Sequence, residues 1–221
     1  MKSMPKLRGI VFDLDGTLVD SLGPTFDAFN HAITHFGGKR LTGEQILSYF
    51  GPGEGGIFAR ILGQDKALPA YRMARDYFDR NIEKVPLHDG VPELLERLKS
   101  AGVPISIFTV RGWETTEIIR KAHRLLDRFV TVVANDHVVE HKPSPEGLRL
   151  ALARMRIEPA EALMVGDSRA DIMAARSAGA AGVAAAWDPM VDRAKLESQE
   201  PDHWAEKPAR IWEIWKTGST D

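Results

Sequence analysis

The chain of 221 residues contains no cysteine, which excludes disulfide bonds, thiolate metal sites and cysteine nucleophiles. It also lacks an excess of charge of either sign, since 29 Lys and Arg residues face 31 Asp and Glu residues and the formal net charge is −2. Without a basic surplus, we expect neither a nucleic acid nor an anionic membrane surface as a partner.

Long apolar runs are absent as well. The small-residue stretch 178–187 is far shorter than a membrane span, and the apolar run near the start is interrupted by Asp13, unlike a secretion signal. Hydrophobic residues make up 43% of the chain and charged residues 27%, which is typical of a globular fold. The sequence therefore predicts a soluble, cytoplasmic protein.

Short apolar runs alternate with helical patterns through most of the chain. Such runs predict strands within residues 10–15, 104–110, 129–133, 162–167 and 182–187. Strands that are apolar throughout and separated by helices indicate a parallel sheet covered on both faces. We therefore predict an α/β fold with a doubly wound, Rossmann-like parallel sheet.

The segment between the first and second predicted strands shows only helical periodicity. Phe26, Phe29, Ile33 and Phe36, for example, fall on one face of a helix. We interpret residues 18–85 as an all-helical cap domain inserted into an α/β core domain formed by residues 1–17 and 86–221.

Polar side chains gather where the predicted strands end, and in parallel sheets ligands bind beyond those carboxyl ends. The candidates are Asp13, Asp15, Thr109, Lys142, Asp167 and Asp171. Converging carboxylate oxygens suit Mg²⁺, and an ionised carboxylate beside the metal can attack phosphorus to give an aspartyl-phosphate. A hydroxyl and an ammonium group can hold the phosphoryl oxygens. This set of side chains indicates phosphoryl transfer.

Four segments resemble the four motifs of the haloacid-dehalogenase superfamily of phosphohydrolases, in the family's order. They are DLDGTLVDS at 13–21, Thr109, KPSP at 142–145 and GDSRAD at 166–171. The resemblance covers nearly the whole chain and is greatest with the phosphoglycolate-phosphatase branch.

The resemblance implies a role for each motif residue. Asp13 would be the nucleophile and Asp15 the general acid, then base. Mg²⁺ would be bound by Asp13, the carbonyl of Asp15 and Asp167, with Asp171 holding a metal-bound water or Lys142. Thr109 and Lys142 would grip the phosphoryl group.

Asp15 distinguishes two kinds of chemistry within the superfamily. Its dehalogenases lack an acid there, whereas an alkoxide leaving a phosphate ester must be protonated. We therefore expect a Mg²⁺-dependent phosphatase that hydrolyses a small-molecule phosphate monoester, with 2-phosphoglycolate as one candidate. The alternatives are a phosphomutase or a pyrophosphatase on the same scaffold, and a non-catalytic phosphate-binding regulator. Both a monomer and a homodimer are compatible with the sequence.

The residues that select the substrate are harder to identify. Family members often carry Asn after the motif threonine, but here Val110 and Arg111 follow it. The backbone N–H of Val110 can still donate to phosphate, and we expect Arg111 to add a cation at the rim.

The glycine-rich segment 51–56 matches the cap loop of the phosphoglycolate-phosphatase branch. It is equally compatible with a hinge and with a substrate-contacting loop that includes Gly53, Glu54 and Gly55. Arg60 is a further candidate for selecting the substrate.

Overall fold

A six-stranded parallel sheet forms the centre of the computed structural model, which describes residues 6–49 and 54–219. The strand order is β3-β2-β1-β4-β5-β6. The strands are β1 (Gly9–Phe12), β2 (Ile105–Phe108), β3 (Val132–Val133), β4 (Ala162–Gly166), β5 (Ala181–Ala185) and β6 (His203–Ala205). The predicted α/β class with a Rossmann-like parallel sheet is confirmed.

Helices connect the strands. Between β1 and β2 run α1 (Leu22–His35), α2 (Gly43–Ser48), α3 (Glu54–Leu62), α4 (Gln64–Arg80) and α5 (Val91–Ser100). The remaining helices are α6 (Trp113–Ala122), α7 (Glu146–Met155), α8 (Arg169–Ala178), α9 (Arg193–Glu197) and α10 (Ala209–Ser219). We refer to α1–α4 as the helical insertion. No helix in the described ranges is both long and apolar enough to cross a membrane.

Strand β1 lies in the middle of the sheet because Ile10, Val11 and Phe12 are apolar on both faces and completely buried. It pairs with β2 on one side and β4 on the other, so that Phe12 is level with Ile107 and with Val165. The residues that follow β1, β2 and β4 therefore emerge together at one edge of the sheet.

The helical insertion packs through apolar residues that are continuous with the core beneath the sheet. Phe26, Phe29 and Ile33 of α1 are buried, as their spacing predicts, and the ring of Phe29 lies 4.8 Å from that of Phe58 in α3. Phe36 is only partly buried against the same cluster. The apolar face of α1 thus packs against the other helices of the insertion.

The two chain segments that join the insertion to the sheet run side by side. Val19 and Leu87 form an antiparallel bridge. The N–H of Asp20 donates to the carbonyl of Pro86 at 2.9 Å, and the N–H of His88 donates to the carbonyl of Leu18 at 3.0 Å. The two connections between the insertion and the sheet therefore form a single hydrogen-bonded ribbon.

The sequence reasoning missed strand β6. It is three residues long, lies at the sheet edge beside β5, and has no apolar alternation that would predict a strand. The last helix, α10, packs through its apolar residues, since Ile211, Ile214 and Trp215 are buried.

Candidate active site

The motif residues meet at the carboxyl edge of the sheet. Asp13 and Asp15 follow β1, Thr109 follows β2 and Asp167 follows β4. Because these three strands are neighbours, the residues that follow them meet at one edge of the sheet, where Asp13, Val110 and Asp167 line one cleft. Lys142, from the loop before α7, reaches the same place.

Lys142 connects two carboxylates. Its Nζ lies 2.6 Å from Oδ1 of Asp13 and 2.6 Å from Oδ1 of Asp171, and 4.6 Å from the ring centre of Phe108. Burial lowers the pKa of Lys142, but the two carboxylates raise it by more and keep the ammonium charged. The backbone N–H and hydroxyl of Ser168 donate to the other oxygen of Asp171 at 3.1 and 2.6 Å, so Asp171 anchors the lysine.

Asp167 completes a cluster of three acids with Asp13 and Asp171, whose nearest ligand atoms all lie within 4.8 Å of one another. Burial raises the pKa of Asp13 to about 7, although Lys142 acts in the opposite direction. Burial and the other two carboxylates raise the pKa of Asp167 well above its ordinary value. One ammonium thus leaves part of the negative charge of this three-acid cluster uncompensated.

Gly16 allows the chain to pass close to this cluster. It has a positive φ of 74°, and a Cβ at this position would lie 2.3 Å from Oδ2 of Asp167. Only glycine combines this backbone conformation with such a close approach. Any larger residue at position 16 would therefore collide with the carboxylate of Asp167 and displace it.

Asp15 faces a different partner. The guanidinium of Arg111 contacts both of its oxygens, with Nε 3.0 Å from each and Nη2 2.7 Å from Oδ1, and the Ser21 hydroxyl also donates to Oδ1. Burial raises the pKa of Asp15, but Arg111 and Ser21 outweigh it and hold the pKa below its usual value. Arg111 is only 6% exposed, so it is not the rim cation expected from the sequence.

Thr109 is buried, and its hydroxyl accepts the backbone N–H of Arg111 at 3.0 Å. Among the described residues, no acceptor lies within hydrogen-bond distance to take its own proton. Val110 lies between these residues and lines the cleft.

The cleft has a volume of about 390 Å³. Its polar and charged lining consists of Asp13, Asp15, Lys142, Asp167, Ser168, Arg169, Asp192 and Lys195. Its apolar lining consists of Leu22, Leu47, Val110, Ala170, Met190 and Val191. Leu22 and Leu47 belong to the helical insertion, which therefore forms one wall of the cleft.

The family model of haloacid dehalogenase-like hydrolases matches residues 10–185. The chain belongs to this family.

Two curated relatives are named pyrophosphatase PpaX. The protein from Bacillus velezensis is 33% identical over 95% of this chain and 96% of its own length. The protein from Bacillus mycoides is 33% identical over 95% of this chain and 97% of its own length. A solved structure, described as a predicted phosphoglycolate phosphatase from Haemophilus somnus, has a TM-score of 0.85 and 26% identity and covers 96% of this chain and 99% of its own. The resemblance predicted from the motifs is confirmed, and the protein is a phosphatase-type hydrolase of this family.

The residues assigned to the cap loop take different positions in this hydrolase. Gly53 lies outside the described residues. Gly55 lies in the first turn of α3, and Arg60 of the same helix is exposed; neither lines the described cleft. Glu54 faces the interior, where its oxygens accept the Thr115 hydroxyl at 3.0 Å.

Several cleft residues were missed by the sequence reasoning. Ser168 and Arg169 stand inside the fourth motif, so their position was available from the sequence. Met190 and Lys195 follow β5, and the rule that ligands bind beyond strand ends could have found them. Leu22 and Leu47 carried no signal, because they reach the cleft only through the packing of the insertion.

Glu54 makes the stability of the hydrolase depend on pH. Burial raises the pKa of its carboxyl to about 7 and outweighs the opposite effect of Arg111, whose Nη1 lies 3.5 Å away. A raised carboxyl pKa contributes stability that is fully present below the unfolded-state pKa and is lost as the pH rises through about 7. Relative to Glu54→Gln, the wild type should therefore lose roughly 2–3 kcal/mol of unfolding free energy between about pH 5 and pH 8.

Urea unfolding of both proteins at the two pH values, with constant Mg²⁺, measures this difference. Glu44→Gln, which changes an exposed glutamate of the same insertion, is the matched control. Parallel profiles for the wild type and Glu54→Gln would contradict the prediction.

Proposed function

We propose that this hydrolase is a Mg²⁺-dependent phosphatase that transfers the phosphoryl group of a small phosphate ester to Asp13 and then to water. The observation that carries the proposal is the contact of Asp13 with Lys142, at 2.6 Å, inside a three-carboxylate cluster at the end of the cleft. This arrangement offers a nucleophile, a cation for phosphoryl oxygens and metal ligands within one small volume.

The acids fit a magnesium ion. Asp13 and Asp167 have raised pKa values because their charges are buried with too little compensation, and a divalent cation would supply it. We infer that Asp13, Asp167 and the carbonyl of Asp15 would hold the metal, while Asp171 is occupied by Lys142. When bound, Mg²⁺ supplies electrostatic stabilisation of the transferring phosphoryl group and keeps Asp13 ionised.

The protein's own residues carry the remaining steps. An oxygen of Asp13 attacks phosphorus, and Lys142 and Thr109 hold phosphoryl oxygens as charge spreads over them. Asp15, which Arg111 and Ser21 hold ionised in the described structure, takes up a proton from solvent as substrate binds and gives it to the leaving oxygen. The resulting carboxylate then removes a proton from the water that hydrolyses the aspartyl-phosphate, which restores the protonated acid.

The apolar lining supports a substrate with an organic part. Leu22, Leu47 and Met190 line the cleft, and Leu47 and Met190 are 37% and 49% exposed. We propose that they contact the carbon skeleton of a phosphate monoester, with 2-phosphoglycolate as one candidate. On this view the helical insertion acts as a cap, and its wall of the cleft helps to select the substrate.

Inorganic pyrophosphate is the second candidate substrate. It is supported by the 33% identity to proteins named pyrophosphatase PpaX over 95% of this chain. Arg169 and Lys195 in the cleft lining offer cations for a second phosphoryl group. A panel of 2-phosphoglycolate, sugar phosphates, nucleotides and pyrophosphate, assayed for released phosphate, separates the two candidates.

The metal requirement gives a direct test. Chelation with EDTA should reduce hydrolysis by at least about 100-fold, because uncompensated buried acids and an unshielded phosphoryl group raise the barrier. Added Mg²⁺ should restore activity, whereas Ca²⁺ should inhibit because its larger and more flexible shell misaligns the reacting groups. Full activity after exhaustive chelation would contradict the proposal.

A further inference from the structure

Arg111 is buried between the sheet and the helical insertion. It follows Thr109 in the loop after β2, and its side chain is 5% exposed. The Nε and Nη2 atoms of its guanidinium lie 2.7 to 3.0 Å from the carboxylate oxygens of Asp15. Two parallel hydrogen bonds from a planar guanidinium fix the plane of a carboxylate as well as its distance.

The rest of the guanidinium is held by the insertion. Nη2 donates to the hydroxyl of Thr25 in α1 at 2.7 Å. Nη1 lies 3.5 Å from Glu54 in α3, and the guanidinium carbon lies 4.8 Å from the ring centre of Phe78 in α4. Three helices of the insertion therefore contact one side chain that comes from the loop after β2.

These contacts argue against a role for Arg111 in substrate binding. In the described structure its side chain is not among the residues that line the cleft. Its Nε and Nη2 donors are occupied by Asp15 and Thr25, its Nη1 faces Glu54 at 3.5 Å, and its flat face is covered by Phe78. The charge serves the protein's own carboxylates.

We propose that Arg111 is a positioning residue that couples the seating of the helical insertion to the orientation of Asp15. When the insertion packs against the sheet, Thr25, Glu54 and Phe78 hold the guanidinium of Arg111 in place. The guanidinium in turn orients the carboxylate of Asp15, which exchanges protons with the substrate oxygen and with water. A displaced insertion frees Arg111, and Asp15 loses its alignment. The inference rests on the proposed function, because it assigns Asp15 to proton transfer.

A double-mutant cycle with Asp15 tests the coupling. Arg111→Lys keeps the positive charge but loses the planar guanidinium that binds both oxygens of Asp15. We expect kcat to fall roughly 100-fold while KM changes less than about threefold, because misplacement of a catalytic group by about 1 Å has such an effect. In the Asp15→Asn background, the same substitution should lower kcat by less than about threefold, because there is no longer a proton-transfer group to align.

Thr25→Val is the gentler variant and keeps the buried ion pair intact. Removing one hydrogen bond to the guanidinium should lower kcat about fivefold in the wild-type background and leave Asp15→Asn unchanged. Arg75→Ala is the matched control. Arg75 in α4 binds Glu114 in α6 at 3.0 Å, so it also links the insertion to the rest of the fold. Unlike Arg111, however, this pair does not contact Asp15, and Glu114 is 57% exposed. The kcat of Arg75→Ala should stay within about twofold of the wild type.

The outcomes separate the two proposals. A wild-type enzyme without phosphatase activity, or an Asp15→Asn variant with normal kcat, would overturn the proposed function. An active wild type in which Arg111→Lys and Thr25→Val lower kcat by the same factor with and without Asp15 would overturn the coupling alone. Loss of kcat in Arg75→Ala equal to that in Thr25→Val would also overturn it, because any link between the insertion and the sheet would then suffice.

Discussion

Asp13→Asn should reduce phosphate release by at least about 10⁴-fold while the fold persists, because the substitution keeps the shape of the side chain and removes the attacking anion. Lys142 retains its second partner, Asp171, at 2.6 Å, so the ammonium stays paired. Steady-state hydrolysis of a substrate identified by the panel, together with circular dichroism, measures both parts of the expectation.

The control for this variant is Asp20→Asn, which changes an exposed acid a few residues further along the same segment. It should retain wild-type turnover. In the wild type, fluoroberyllate with Mg²⁺ should inhibit by occupying the carboxylate of Asp13, and Asp13→Asn should be insensitive to it. Near-normal turnover by Asp13→Asn would overturn the assignment of the nucleophile.

The core of the site could be predicted from the sequence because its geometry follows from topology. Asp13, Thr109 and Asp167 each come directly after a buried apolar strand, and parallel strands bring their carboxyl ends to one edge. Lys142 could be placed only through the motif order, since the loop before α7 has no periodicity that indicates where its side chain points.

Arg111 shows where sequence reasoning ended. An arginine after a strand and its threonine suggests an exposed cation, because a buried guanidinium requires acceptors that local sequence does not reveal. Here the acceptors are Asp15, 96 positions away, and Thr25, 86 positions away. The burial of Glu54 has the same origin, since its neighbours Thr115 and Arg111 come from α6 and the loop before it.

Lys142→Met should lower both activity and stability. Loss of the cation that holds the phosphoryl oxygens should lower kcat roughly 10²–10³-fold. Without the ammonium, Asp13 and the fully buried Asp171 lose their charge partner, and breaking a buried ion pair on one side costs about 3–5 kcal/mol of unfolding free energy. The thioether side chain fills similar space, so lost packing contributes little.

The loss of stability should depend on pH in a defined direction. The pKa of Asp13 is already raised to about 7, and removal of Lys142 raises it further. Carboxyl groups with raised pKa values stabilise the fold at low pH, and that contribution disappears as the pH rises through the folded-state pKa. Lys142→Met should therefore be much closer to the wild type at about pH 5 than at about pH 8.

Urea unfolding at both pH values, with and without Mg²⁺, distinguishes this explanation from a simple packing defect. Mg²⁺ should recover part of the stability at the higher pH, because it supplies positive charge to the same carboxylates. Lys207→Met, at an exposed lysine outside the cleft lining, should change neither stability nor kcat. Equal destabilisation at both pH values, unaffected by Mg²⁺, would mean that Lys142 does not balance the charge of the acid cluster, and the metal assignment would lose its electrostatic basis.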